Sequence, residues 1–192
     1  MKYEATSLNT KKLLSGALKK AMEGRPLSKI TVSMIVSECG VNRNTFYYHF
    51  DDVYDLLKWT LEQEAVEVVK NFDLLVNPEE AISFIIDYVD ANNHIINCAY
   101  DSMGRAEMKR FFATDFYDMI RSIVDRVSAE IGAVVEDDFK DFLASFYTEA
   151  LAGMLINYFQ GGERRSRQEL IEYIVFILQR SIPNVLKERS KT

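Results

Sequence analysis

The chain has 192 residues, nearly half of them apolar and about a quarter charged, a globular composition with enough material for one or two domains and a real core. Its net charge of −6 is awkward for a nucleic-acid binder, but the charge is uneven: residues 1–50 hold eight Lys/Arg against three Glu, a surplus of five, which leaves the other 142 residues at −11. A basic head on an acidic body is the pattern expected when only the head meets phosphate. No apolar run approaches the ~18 residues of a membrane helix, and the N-terminal MKYEATSLNTKK lacks the apolar stretch of a secretory signal. The two cysteines, Cys39 and Cys98, read as buried thiols of a reducing compartment rather than as a disulfide framework, so a cytoplasmic location is expected. Three prolines, few glycines and long 3.6-residue periods predict an all-α fold of about nine helices.

Residues 1–8 read as a loose arm. Asn9 or Thr10 can cap a first helix to about Glu23, with Leu14, Leu18, Ala21 and Met22 on one face. Gly24-Arg25-Pro26 ends it. Lys11 and Lys12 sit in its first turn, where the helix dipole disfavours cations and a nearby phosphate would offset the cost. Thr31 caps a second, short helix whose stripe is Ile35, Val36 and Cys39, and Gly40 stops it, because such a stop often needs φ > 0. Asn42 caps a third helix over Arg43–His49, with Val41, Phe46 and Phe50 inward. Asn42, Arg43, Thr45, Tyr47, Tyr48 and His49 are left outward. Those side chains donate to phosphate oxygens and base edges, as a recognition helix in a major groove does.

Ile30, Thr31, Ile35, Cys39-Gly40-Val41 and Thr45-Phe46-Tyr47-Tyr48-His49-Phe50, continued at Leu56-Leu57, resemble the DNA-binding domain of the TetR-type (TetR/AcrR) transcriptional regulators. The wording YYHF-DDVYDLL resembles a subgroup that includes activators of dihydroxyacetone kinase operons. One position departs: the family usually has a Lys three residues after Phe50, where it helps hold a phosphate, and here Val53 follows Asp51 and Asp52. The resemblance implies a helix-turn-helix head over 1–52 and a helical effector-binding and dimerisation domain over 53–192. On this reading Lys11, Thr31, Tyr47 and Tyr48 contact phosphate. Asn42, Arg43, Asn44, Thr45 and His49 lie nearest the bases, and the Arg43 guanidinium bridges guanine O6 and N7.

Asp51 or Asp52 caps a long helix to about Phe72, with Leu56, Leu57, Leu61, Ala65 and Val68 as its stripe. Asn77-Pro78-Glu79-Glu80 is a strong helix start. That helix runs through Ile82, Ile85, Ile86 and Val89 and breaks near Asn92-Asn93. Another spans about Ala106–Ile131, with a break at either Met103-Gly104 or Ala113-Thr114. Glu136-Asp137-Asp138 opens the next, to about Gln160, and Gly161-Gly162 stops it. Ser166 and Glu169 form a capping box for the last helix, which Pro183 ends or kinks.

The last two helices are apolar over more than one stripe, so one stripe can face the body and the other needs a partner. The resemblance implies a four-helix homodimer interface here, with Tyr147, Leu151, Met154, Leu155, Tyr158, Ile171, Ile174, Val175 and Leu178 as candidates. A twofold dimer sets two recognition helices roughly 34–36 Å apart on a near-palindromic operator. The resemblance also places an effector pocket among Trp59, Phe84, Tyr88, Tyr100, Met103, Phe112 and Phe116, for which an ordinary aromatic core is the alternative. His94 and Cys98, four apart, are half a metal site with no second half, so no metal and no cofactor is expected. There is no Gly-rich phosphate loop, nucleophile elbow or HExxH, and no enzyme is expected. The reading is a double-stranded-DNA-binding regulator, a repressor by default, released by a small molecule. An activator, a regulator gated by a protein partner, and an all-α scaffold or enzyme with a vestigial head are the alternatives.

Overall fold

The computed structural model describes residues 2–66 and 77–190, and no strand occurs among them. The described residues form eight α-helices in order: α1 (Lys2–Met22), α2 (Val32–Cys39), α3 (Arg43–Tyr47), α4 (Val53–Leu61), α5 (Pro78–Ala91), α6 (Asn93–Glu130), α7 (Asp137–Phe159) and α8 (Arg167–Arg189). A 3-10 turn at Leu27–Lys29 precedes α2, and a π-turn at Glu62–Val66 follows α4. The predicted continuation of that helix, through Val68 to Phe72, lies outside the described residues. The chain divides into two compact units, Met1–Glu67 with Asn92–Gly104, and Val68–Ala91 with Arg105–Thr192. Among the described residues no helix is long and apolar enough to cross a membrane.

In the first unit the side chains of Leu14, Leu18, Ile35, Phe46, Leu56 and Leu57 are buried together with Leu27. The helix ends follow from their caps. The Thr31 hydroxyl accepts the Met34 N–H, the Asn42 side chain accepts the Thr45 N–H, and the Asp52 carboxylate accepts the Asp55 N–H. Gly40, at φ 65° and ψ 26°, takes the left-handed conformation that ends α2. The Thr60 hydroxyl lies between the Leu56 carbonyl (2.8 Å) and the Ser15 hydroxyl (3.0 Å), so the buried polar groups are paired. The Leu27 N–H donates to Cys98 Sγ at 3.1 Å, tying the start of α6 to the turn before α2. Both cysteines are free thiols and half-buried rather than fully buried.

Two boundaries differ from expectation. The arm at 1–8 is helical from Lys2. It contains no Gly or Pro, and the Thr10 hydroxyl bonds back to the Thr6 carbonyl at 3.0 Å, the arrangement of a threonine inside a helix rather than at its cap. The third helix ends at Tyr47 rather than His49, because the His49 N–H bonds to the Phe46 carbonyl only three residues back and tightens the last turn.

Among the described residues of the second unit, α5, the Arg105–Glu130 part of α6, α7 and α8 surround two core clusters. One centres on Ile120, Val124, Leu143, Tyr147, Ile182 and Leu186, the other on Ile86, Leu170, Ile171 and Ile174. Polar ties fix the helices at their edges. Arg167 pairs with Asp87 (2.6 Å), the Tyr158 hydroxyl donates to Asp90 (3.0 Å), and Arg121 donates to Asp141 (2.7 Å) and Asp137 (3.2 Å). The break in α6 falls at Gly104, whose φ 80° and ψ 166° belong to a region open essentially to glycine alone. The expected capping box, Ser166 with Glu169, starts α8. Pro183 does not end that helix. Ile182 and Leu186, both fully buried, hold the last turns against the core, so α8 continues to Arg189 with one backbone bond missing.

Candidate nucleic-acid interface and cavity

The outer face of α3 is prearranged. Phe46 is wholly buried, and Tyr47 packs edge-on against it at 5.6 Å. The Arg43 guanidinium donates to the Tyr47 hydroxyl (3.2 Å) and lies over its ring at 5.8 Å. A buried anchor thus orients an exposed tyrosine, which in turn holds the arginine. Asn42 Oδ1 is occupied by the Thr45 N–H (2.8 Å) and hydroxyl (3.1 Å), which leaves the Asn42 amide N–H groups for an outside acceptor. Asn44 is exposed and Thr45 half-buried. Tyr48 is 83% exposed and sits edge-on to His49 at 4.9 Å. Burial, and then the charge of Lys11, lower the His49 pKa below the ordinary histidine value, so the imidazole is neutral at neutral pH and offers a hydrogen bond without a charge.

A shallow groove brings Thr31, Arg43 and Tyr47 together with Ser33 and Tyr54. Sequence reasoning named neither Ser33 nor Tyr54. Both are exposed hydroxyl donors, and Tyr54 follows directly on Val53 in the first turn of α4. Val53 itself is 8% exposed and packs into the core, which accounts for an apolar residue there. Asp51 and Asp52 line the same groove. Asp52 is committed as the cap of α4, and the Asp51 N–H donates to the Asp55 carboxylate at 3.1 Å. Lys11 lies apart from this groove's lining: its Nζ is 5.5 Å from the ring centres of both Phe50 and Trp59, a cation held on aromatic faces. Two further basic residues are matched within the unit, Lys19 by Glu64 (2.7 Å) and Lys20 by Glu38 (2.5 Å).

A partly open cavity of about 290 Å³ lies in the second unit. Its walls are largely aliphatic, from Ile82, Ile85 and Ile86 on α5 through Met119 and Ile123 on α6 to Leu151 on α7 and Leu178 on α8. Of the seven residues named as pocket candidates, only Phe116 lines it. Trp59, Tyr100 and Met103 belong to the first unit. Phe84 and Tyr88 are half-buried on α5 outside the lining, and Phe112 is buried between the rings of Phe116 (6.0 Å) and Phe159 (6.5 Å). Aromatic density marked packing, whereas the cavity is walled by Ile, Leu and Met.

The nine dimer candidates pack inside their own unit. Leu151, Met154, Leu155, Tyr158, Ile174 and Leu178 line the cavity, Tyr147 and Ile171 are buried at 6% and 1% exposure, and Val175 packs on the second core cluster. Burial, with the Asp90 carboxylate that accepts its hydrogen, pushes the Tyr158 pKa up to about 12. The apolar side chains of α7 and α8 left in solvent are Phe142, Phe146, Tyr173, Phe176 and Ile177. Their spacings, four apart on α7 and three and four apart on α8, form one stripe on each helix.

A helical head with a capped helix-turn-helix and an outer face of Asn, Arg, Tyr and His, followed by a helical unit with a partly open cavity, defines a DNA-binding transcriptional regulator. Residues 14–58 match the family described as "Bacterial regulatory proteins, tetR family", and residues 76–180, more than half of the chain, match "Transcriptional regulator C-terminal region". The chain belongs to the TetR family of bacterial transcriptional regulators. It is 27% identical over 86 residues to the HTH-type dhaKLM operon transcriptional activator DhaS of Lactococcus lactis subsp. lactis (strain IL1403). That match spans 45% of this chain and 46% of the relative, less than half of each. Among solved structures, Dihydroxyacetone kinase operon activator DhaS superposes with a TM-score of 0.68 at 20% identity, over 95% of this chain and 98% of that one. The fatty acid degradation regulator FadR from Bacillus halodurans superposes with a TM-score of 0.59 at 12% identity, over 88% and 94%. Both likenesses are likenesses of fold.

Proposed function

We propose that this regulator works in the cytoplasm, binds a near-palindromic operator as a twofold dimer, and is controlled by a small molecule in the second unit's cavity. The observation that carries the reading is the division of labour on α7 and α8. One apolar stripe of each helix lines the cavity, and the other, Phe142 and Phe146 with Tyr173, Phe176 and Ile177, is exposed. Five large side chains about half exposed amount to roughly 100 Å² each, or ~500 Å² together. That is a large share of the ~800 Å² per partner of a standard interface. Arg43 then reads a guanine in each half-site, with Asn42, Asn44, Thr45 and His49 beside it. Thr31, Tyr47 and Tyr48 hold phosphate, joined by Ser33 and Tyr54 of the same groove. The effector acts by binding one spacing of the heads more tightly than the other, which changes operator affinity by the same factor.

The presence of a cavity favours a small molecule over a protein partner as the controlling signal. An activator is the second reading for the sign of regulation, because the DhaS relative and the DhaS structure are both named as activators. Selection of binding sites from random duplex DNA, with titration of the selected site at two salt concentrations, tests the core of the proposal. A near-palindromic consensus with a steep salt dependence is expected. No enrichment refutes operator binding by the unaided protein. A reporter downstream of the selected site then distinguishes repression from activation.

A further inference from the structure

The cavity is apolar but its polarity is one-sided. Near one core cluster, around Met154, Leu170 and Ile174, the polar lining group is Tyr158, whose hydroxyl hydrogen is committed to Asp90 at 3.0 Å. Near the other cluster, around Val127, Ile131 and Ile182, the lining includes Glu130, Gln179 and Pro183. Glu130 is the last residue of α6, where the helix dipole adds partial negative charge. Among the described residues it has no ion-pair partner. Pro183 has no N–H, so the Gln179 carbonyl is left without its helical donor. No Lys, Arg or His is among the described residues that line the cavity. Among the described residues, this end of the cavity therefore carries one carboxylate, a helix C-terminus and a freed carbonyl, with no cation to balance them.

We infer that the effector is a small amphiphile with an aliphatic body and a cationic amine head, the head at Glu130, and that carboxylates are excluded. The inference rests on the effector-cavity reading and names the class of molecule for it. A volume of about 290 Å³ holds roughly ten groups the size of a water molecule at ~30 Å³ each. The aliphatic body lies along the Ile and Leu walls, replacing cavity with contact. A carboxylate head faces the Glu130 carboxylate with no counter-ion among the described lining residues, so both solvation and Coulomb terms oppose it.

The test is calorimetric titration of the full chain with n-octylamine, n-octanol and sodium octanoate, alone and in the variants Glu130→Gln and Ile85→Trp. Octylamine is expected to bind about tenfold or more tightly than octanoate, with octanol between them. Glu130→Gln should bring octylamine to the level of octanol while leaving octanol unchanged. Ile85→Trp, which fills the cavity, should abolish binding of all three. Octanoate binding as tightly as octylamine, or an amine preference that survives Glu130→Gln, overturns the amine assignment and leaves the cavity reading standing. Octylamine binding that survives Ile85→Trp means adsorption to the acidic surface and also overturns it. If none of the three binds, the effector-cavity reading falls and this inference with it.

Discussion

Phe176 offers the most direct test of the dimer. It is 62% exposed on α8, beside Tyr173 and Ile177, which are 47% and 53% exposed. A phenylalanine presents about 200 Å² of surface, so roughly 120 Å² of Phe176 is available to a partner. At ~25 cal/mol per Å² that is about 3 kcal/mol for one copy and ~6 kcal/mol for both copies of a twofold interface. Partial burial and side-chain ordering reduce the figure, so Phe176→Ser should weaken dimerisation by roughly 3–6 kcal/mol, or about 10²- to 10⁴-fold in Kd. Sedimentation velocity over a range of concentrations reads this directly. The helical circular dichroism of the monomer should not change, because the side chain is mostly exposed and belongs to neither core cluster. Ile171→Ala is the contrast. Ile171 is 1% exposed in the second core cluster, and its truncation should lower the unfolding free energy by about 2–5 kcal/mol. If Phe176→Ser remains a dimer of unchanged affinity with native circular dichroism, the exposed stripe is not the dimer interface.

Arg43→Ala should cost about 1–3 kcal/mol at the selected operator and relax the preference at one base pair, as read by competition with singly substituted duplexes. An unchanged preference removes Arg43 from base readout. Asp51→Asn removes an acid from the groove that holds Thr31, Arg43 and Tyr47. It should tighten operator binding by roughly two- to fivefold at low salt, the scale of one exposed charge pair, and less at high salt. Gly104→Ala places a Cβ at φ 80° and ψ 166°, which should destabilise the chain by about 1–3 kcal/mol in denaturant unfolding; an unchanged midpoint means that the bend relaxes elsewhere. His49 is held neutral, its pKa lowered by burial and by Lys11. The unfolded chain therefore takes up this proton first on acidification. Stability is complete above the ordinary histidine value of about 6.5 and falls as pH drops below it toward the folded value. Denaturant midpoints should show this loss in the native protein and less of it in His49→Gln; equal losses assign the pH dependence to other groups.

Local chemistry made much of the first unit legible. Thr31, Gly40, Asn42 and Asp52 act through their own backbone neighbours, and each ends or starts a helix as its residue type demands. The buried positions Ile35, Phe46 and Phe50 were equally readable, because these short helices have one apolar side. Lys11 was less so. The sequence put it in a first turn, whereas α1 begins at Lys2 and Lys11 lies in its middle, and neither position says anything about Phe50 and Trp59, about forty and fifty residues further on, whose rings hold its ammonium. Ser33 and Tyr54 stayed hidden for a similar reason, since hydroxyl residues carry no signal until a groove collects them. At Pro183 the sequence left an end or a kink open, and the buried Ile182 and Leu186 on either side decided against an end.

The sequence by itself determined the helical class, the caps of α2, α3, α4 and α8, the family of the head and the existence of apolar stripes on α7 and α8. All of these depend on residues within a few positions of one another, or on a period that survives without a partner. Only the tertiary structure decided which way each stripe faces. On α7, Phe142 and Phe146 are as apolar as Leu151 and Leu155; on α8, Phe176 and Ile177 are as apolar as Ile174 and Leu178. A 3.6-residue period fixes the angle between two stripes and not their direction. Direction came from packing: α5 and α6 took Leu151, Leu155, Ile174 and Leu178 around the cavity and left the phenylalanines outside. The cavity was invisible for the same reason, because a void is made of the places where helices from distant parts of the chain fail to touch.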